Sequence, residues 1–289
     1  MDRRKLLNIS LFVLVASLVE IARWGATDLT WSLTIPYPTP SFVRDAFPTL
    51  DHNFYRPLFG EIVGVVASLV VLLACLAAFY PGSARYLISV HGRFRFGKFC
   101  WGACACLFPW ALFFFSEIVR NNSLSLGRSW SHAEVWLLAS VFIGLQVFTE
   151  EYVFRGYLLA GLFSLSRSYL LSACLSSLAF ALVHRPESLA ASAIPFIFGL
   201  LCCEFRRLSG GIEFSFGYHL VWNAVSETGI MPNFQWYDNS YGTLHFINQI
   251  NGWSIGALYL GGLLLLLFAR LYRGQYATRL LMLRGTAMA

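Results

Sequence analysis

The run Thr149-Glu150-Glu151-Tyr152-Val153-Phe154-Arg155 sets two adjacent carboxylates and a guanidinium inside a stretch that otherwise reads as membrane-spanning helix. Charge at bilayer depth is costly, so ionisable residues there usually face a protein interior or a wet cavity and have a function. Two later apolar segments, one ending Phe180-Ala181-Leu182-Val183-His184 and one containing His219-Leu220-Val221-Trp222-Asn223, add two imidazoles and an amide. Together these groups mark a candidate active site.

Their spacing separates their roles. Glu151 and Arg155 are four apart and so share one helical face, which predicts an ion pair that fixes packing. Removing one partner of such a pair strands a buried charge, at about 3–5 kcal/mol. Glu150 points about 100° away around the same helix and needs a different partner, or must hold a proton. It is the candidate for general acid–base chemistry. His219 and Asn223 also stand at i, i+4, and an imidazole beside an amide can donate hydrogen bonds to a developing oxyanion. The competing assignment for this pair is interhelical hydrogen bonding, common in membrane bundles. His184 closes its segment, where a lone histidine is most often a capping or interfacial residue. Peptide hydrolysis needs a base for water, a stabiliser for the tetrahedral oxyanion and a dry cavity, and the set as a whole can supply them. A second arrangement of the same atoms is a zinc site of Glu150, His184 and His219 with water as fourth ligand. HExxH is absent, and no second shell for a metal can be read. The expectation is no cofactor, with zinc as the alternative.

The elements that must position these groups are hydrophobic helices. The chain has 289 residues, 57% hydrophobic and 12% charged, and a mean hydropathy of +0.61. A soluble domain carries about a quarter charged residues. The fold class is therefore all-α, a polytopic membrane bundle. Eight apolar stretches appear, at about 6–22, 59–80, 99–119, 135–163, 169–184, 190–205, 212–228 and 253–269. Several approach the ~20 residues that cross ~30 Å of hydrocarbon. With the N-terminus inside, the cytoplasmic segments carry Arg3, Arg4, Lys5, Arg85, Arg93, Arg95, Lys98, Arg167, Arg206, Arg207, Arg270, Arg273, Arg279 and Arg284. The other side carries Arg23, Arg44, Arg56, Arg120, Arg128 and Arg185. That bias favours eight spans with both termini cytoplasmic and leaves Arg155 as the one basic residue within the membrane. The net charge of +6 follows from this bias and does not call for nucleic acid.

Residues 1–134 read as N-terminal helices with an outer loop, 135–235 as the core that carries the chemistry, and 236–289 as a last helix with a cytoplasmic tail. The proline-rich stretch 23–58 is expected to be an irregular cap. The stretch 229–252, with Phe234, Trp236, Tyr237, Tyr241 and Phe246, is expected at the interface. The tail Arg270–Arg284 reads as a cytoplasmic surface segment. The first apolar run lacks a clear cleavage site and reads as a signal anchor. Seven cysteines, an odd number and all in apolar segments, argue against a disulfide framework.

Glu150-Glu151-x-x-x-Arg155, then Phe180-x-x-x-His184, then His219-x-x-x-Asn223, resembles the CAAX-protease and bacteriocin-processing (CPBP, or Abi) family of glutamate-type intramembrane endopeptidases. Its eukaryotic members are type II CAAX prenyl endopeptidases. The resemblance covers about 135–235. It implies that Glu150 and His184 activate a water, that His219 and Asn223 form the oxyanion hole, and that Glu151 and Arg155 are architectural. It implies as substrate a membrane-associated protein cut near a C-terminal membrane-anchored or lipidated segment. Two readings from other classes stand beside it, a non-catalytic membrane binding or immunity protein and a proton-coupled transporter. The topology opens the site to the outer face of a membrane, expected to be a bacterial inner membrane. That orientation favours exported clients, as in exosortase- or myxosortase-like sorting.

Overall fold

The computed structural model describes residues 3–34, 52–119, 124–126, 133–184, 189–225, 244–246, 256 and 259–267. Within them the apolar stretches fold as helices. These are α1 (Arg3–Thr34), α2 (His52–Phe79), the short α3 (Ala84–Ile88), α4 (Phe96–Val119) and α5 (Ala133–Glu150). Helix α5 runs without a break into a π-helical segment (Glu151–Leu158) and on into α6 (Leu159–Ser166). Next come α7 (Tyr169–Val183), α8 (Leu189–Ser209) and α9 (Glu213–Val225). A final short helix covers 259–267. The architecture is all-α with one small addition: β1 (Leu124–Leu126) pairs antiparallel with β2 (Leu244–Phe246).

Two described helices are long and apolar enough to cross a membrane by length and composition, Ile62–Phe79 and Phe96–Ser116. Others carry the polar groups that the core uses, or are short, as α7 is. Helix α1 runs well past the expected end of the first span. Nothing in 23–34 breaks a helix, and Pro36 is the first residue that does, disfavouring helix at Ile35 before it. The irregular cap expected over 23–58 is thus narrowed at both ends, because α2 already begins at His52. Residues 35–51, the aromatic positions 234–241 and the tail Arg270–Arg284 lie outside the described residues.

Helix α1 packs on α2, and α4 on α9. Small residues make both contacts close. A Cβ on Gly64 would press on the Thr27 side chain and the Arg23 carbonyl. A Cβ on Gly102 would meet the Phe214 carbonyl, and one on Gly217 the Phe99 carbonyl. Backbone approach of this kind is how membrane helices associate without a hydrophobic driving force between them. It sets α9, and therefore His219, against α4.

The two ends of the bundle are closed differently. At one end Val90 N donates to Gly210 O at 3.0 Å and Ile212 N to Ile88 O at 2.8 Å. Gly210 turns the chain there with a φ of +74°, a conformation that suits glycine. Arg95 forks onto Glu213 at 2.8 and 2.9 Å, and Arg206 Nη1 donates to Leu87 O at 3.0 Å. At the other end β1 and β2 tie the chain before α5 to the chain after α9.

Candidate active site

Helix α5 delivers Glu150 at its last residue and the wide π turn that follows delivers Glu151 and Arg155. π segments are rare, and those inside α-helices are frequently found at functional sites. This one is buried from Glu151 to Tyr157 and is anchored from several sides. Ser176 Oγ on α7 donates to Phe154 O at 2.8 Å, and Tyr152 OH donates to Ala84 O at 3.0 Å. Gly156 lies against Leu87.

Glu151 and Arg155 form an ion pair, Oε1 to Nη1, at 3.2 Å, with the side chains 0% and 1% exposed. The Arg155 guanidinium also stacks 4.1 Å from the centroid of the Phe180 ring. Glu151 Oε1 accepts a hydrogen bond from His219 Nδ1 at 2.9 Å. A carboxylate paired with arginine can only accept, so the hydrogen sits on Nδ1 and the other ring nitrogen faces the site. That nitrogen, Nε2, lies 3.7 Å from Glu150 Oε2. His219 therefore stands between the two glutamates, its ring held edge-on by Phe180 and Phe198 with centroids 5.8 and 4.8 Å away.

Glu150 is 2% exposed. Its Oε1 accepts from Gln146 Nε2 at 3.2 Å and lies 3.8 Å from Arg23 Nη2, while Oε2 is buried with no hydrogen-bond partner. His184 caps the end of α7. Its Nδ1 donates to Phe180 O at 2.7 Å, which leaves the Nε2 lone pair available, and the residue is exposed. It lies within electrostatic reach of Glu150. Asn223 is half-buried one turn beyond His219 on α9.

The structure thus brings Glu150, Glu151, Arg155 and His219 into direct contact, with His184 at the rim and Asn223 one turn away. Sequence reasoning missed two members, Gln146 and Arg23. Arg23 was expected on the outer side of the membrane, and it is instead buried against Glu150, joining Arg155 inside the bundle. Its signal was the Glu20-x-x-Arg23 spacing, which continues the first helix through a charged face instead of ending it. Among the described residues no group of three His, Cys, Asp or Glu side chains is disposed to hold a metal ion, so no step below is routed through zinc.

Residues 130–225 match the family described as type II CAAX prenyl endopeptidase Rce1-like. No curated protein and no solved structure matches the chain. The Rce1-like segment contains Glu150, Glu151, Arg155, His184, His219 and Asn223, and the match indicates a membrane-embedded peptidase. It excludes α1, and with it Arg23.

Proposed function

We propose that the chain is an intramembrane endopeptidase that hydrolyses a peptide bond near the C-terminus of a membrane-associated protein. The observation that carries this reading is His219, pinned through Nδ1 to Glu151 with Nε2 3.7 Å from the unsatisfied Glu150 Oε2. A water seated between Oε2 and Nε2 loses a proton to Glu150, with His184 Nε2 as a further acceptor at the rim. The hydroxide attacks the scissile carbonyl carbon. The oxyanion takes hydrogen bonds from Asn223 and from His219 Nε2, His219 entering the cycle as the imidazolium between the two carboxylates and keeping both its protons throughout. Collapse breaks the C–N bond, and the leaving amine takes the proton from Glu150. Glu151, Arg155 and Phe180 hold the imidazole in place throughout.

Eight spans with both termini cytoplasmic complete the reading. The β1–β2 pairing supports the alternation, since it joins two loops assigned to one side. The exposed His184 at the outward end of α7 supports a site open to the outer face of a bacterial inner membrane. Its clients would then be exported proteins with a C-terminal membrane-anchored or lipidated segment. Thiol labelling of cysteines placed in 229–252 tests this, and labelling from the cytoplasm alone would overturn it.

The test of the activity is incubation of membranes containing the protein with neighbouring gene products, the new C-termini being mapped by mass spectrometry. Cleavage is expected, and it is expected to disappear in Glu150→Gln. Cleavage unchanged by that substitution defeats the mechanism, and substrate-driven proton flux that depends on Glu150 would favour a transporter. Cleavage is also expected to persist in excess chelator. A loss restored by added zinc would favour the zinc arrangement of Glu150, His184 and His219.

A further inference from the structure

Arg23 lies outside the Rce1-like segment, yet its guanidinium reaches the candidate base: Nη2 is 3.8 Å from Glu150 Oε1, and the residue is 8% exposed. The approach is built into the packing. Gly64 on α2 leaves room for the Arg23 carbonyl and Thr27, and Thr27 Oγ1 donates to Gly60 O at 3.3 Å, so α1 is seated on α2 at this level.

The charges around Glu150 give the contact a purpose. Facing it are Arg23 and Glu20 from α1, His184 from α7, His219 from α9, and Gln146 and Arg155 from its own helix. Arg155 balances Glu151. Without Arg23, Glu150 would be a second buried carboxylate beside the first with no cation of its own, a costly arrangement at bilayer depth. Arg23 and Gln146 also occupy the Oε1 side, which leaves Oε2 turned towards His219 Nε2.

We propose that Arg23 is the counter-ion that positions Glu150, so that α1 completes a site of which the Rce1-like segment holds only part. Its catalytic consequence rests on the hydrolytic reading, but its electrostatic content does not. The test therefore begins without substrate. Dicyclohexylcarbodiimide adds to protonated carboxyl groups within membranes and leaves an N-acylurea. The full-length protein in lipid vesicles is treated at neutral pH, and the Glu150 peptide is followed by mass spectrometry.

Glu150 is expected to label about tenfold faster in Arg23→Gln than in wild type, with Arg23→Lys close to wild type. Equal rates in all three overturn the proposal. If Arg23→Gln does not fold, Gly64→Ala lifts α1 while keeping the guanidinium and is expected to accelerate labelling in the same direction. An unchanged rate there also overturns it. With a cleavable substrate, Arg23→Gln is expected to lower kcat while KM stays within about twofold. A raised KM at constant kcat would instead assign Arg23 to substrate binding and overturn the positioning role. Labelling that behaves as expected in a wild type that cleaves nothing defeats the hydrolytic reading and leaves the counter-ion standing.

Discussion

Glu151 accepts from His219 Nδ1 at 2.9 Å and pairs with Arg155 at 3.2 Å, whereas Glu150, the preceding residue, stands 3.7 Å from His219 Nε2 and 3.8 Å from Arg23. Both carboxylates are buried, each lies beside an arginine, and both address the same imidazole. What differs is closure. The Glu151 half is a tight pair on a π turn, with its arginine stacked on an aromatic ring. The Glu150 half is looser, its histidine and its arginine both standing beyond hydrogen-bond distance, although each glutamate leaves its Oε2 without a partner. A buried polar atom without a partner calls for an explanation such as a catalytic role or a water. The comparison teaches that equal burial does not mean equal function, since the half whose partners stand off at 3.7 and 3.8 Å is the one that can admit a water or a substrate atom.

The largest effect that would break this comparison is on turnover. Glu150→Gln keeps the shape and removes the base, so kcat/KM is expected to fall by about 10²–10⁴. Unfolding in detergent should move by no more than about 1 kcal/mol, because Arg23 keeps the Glu20 carboxylate beside it. Turnover within tenfold of wild type would return Glu150 to the ranks of packing residues. Arg155→Met makes the opposite demand. It strands the Glu151 carboxylate and removes the stack on Phe180, so it is expected to cost about 3–5 kcal/mol of stability. Thermal unfolding of the two purified variants decides between the halves. If both lose the same stability, the division between brace and base fails.

Much of this division can be read in the chain, because helical spacing is local. Glu151 and Arg155 at i, i+4, and Glu150 out of line with them, need only the geometry of one helix. The apolar stretches give the helices by the same local logic. What spacing does not carry is the partner across the bundle. That His219 turns Nδ1 towards Glu151 and not Glu150 depends on how α9 lies against α5, and this is set by backbone contacts at Gly102 and Gly217. The π turn is likewise not visible in a pattern read at α-helical period, and its anchors are distant in sequence: Ser176 Oγ donates to Phe154 O, and Tyr152 OH donates to Ala84 O. Arg23 was hidden by a boundary. Ending the first span at the first charged residues assigns Arg23 to the outside, although a helix with a buried charged face continues through them to Thr34. The β1–β2 pair joins three-residue segments far apart in sequence, too short to show a period-2 pattern.

The smallest expected effect sharpens the comparison through the element the two halves share. Gly217 lies two residues before His219, and a Cβ there would press into the Phe99 carbonyl and the Ala103 amide on α4. Backbone cannot swing aside as a side chain can, so Gly217→Ala must shift α9 as a whole. Overpacking of this kind costs about 1–3 kcal/mol. The shift reaches both sides of the imidazole, but they are not equally tolerant. The 2.9 Å bond to Glu151 can follow the ring by a rotamer adjustment, because it is a formed hydrogen bond to an oxygen that Arg155 also holds. The 3.7 Å gap to Glu150 has no bond to restore it. Gly217→Ala is therefore expected to lower kcat more than its modest stability loss accounts for, measured as turnover per folded molecule. If turnover per folded molecule is unchanged while unfolding shifts by the expected amount, the gap between His219 and Glu150 is not where the chemistry is tuned.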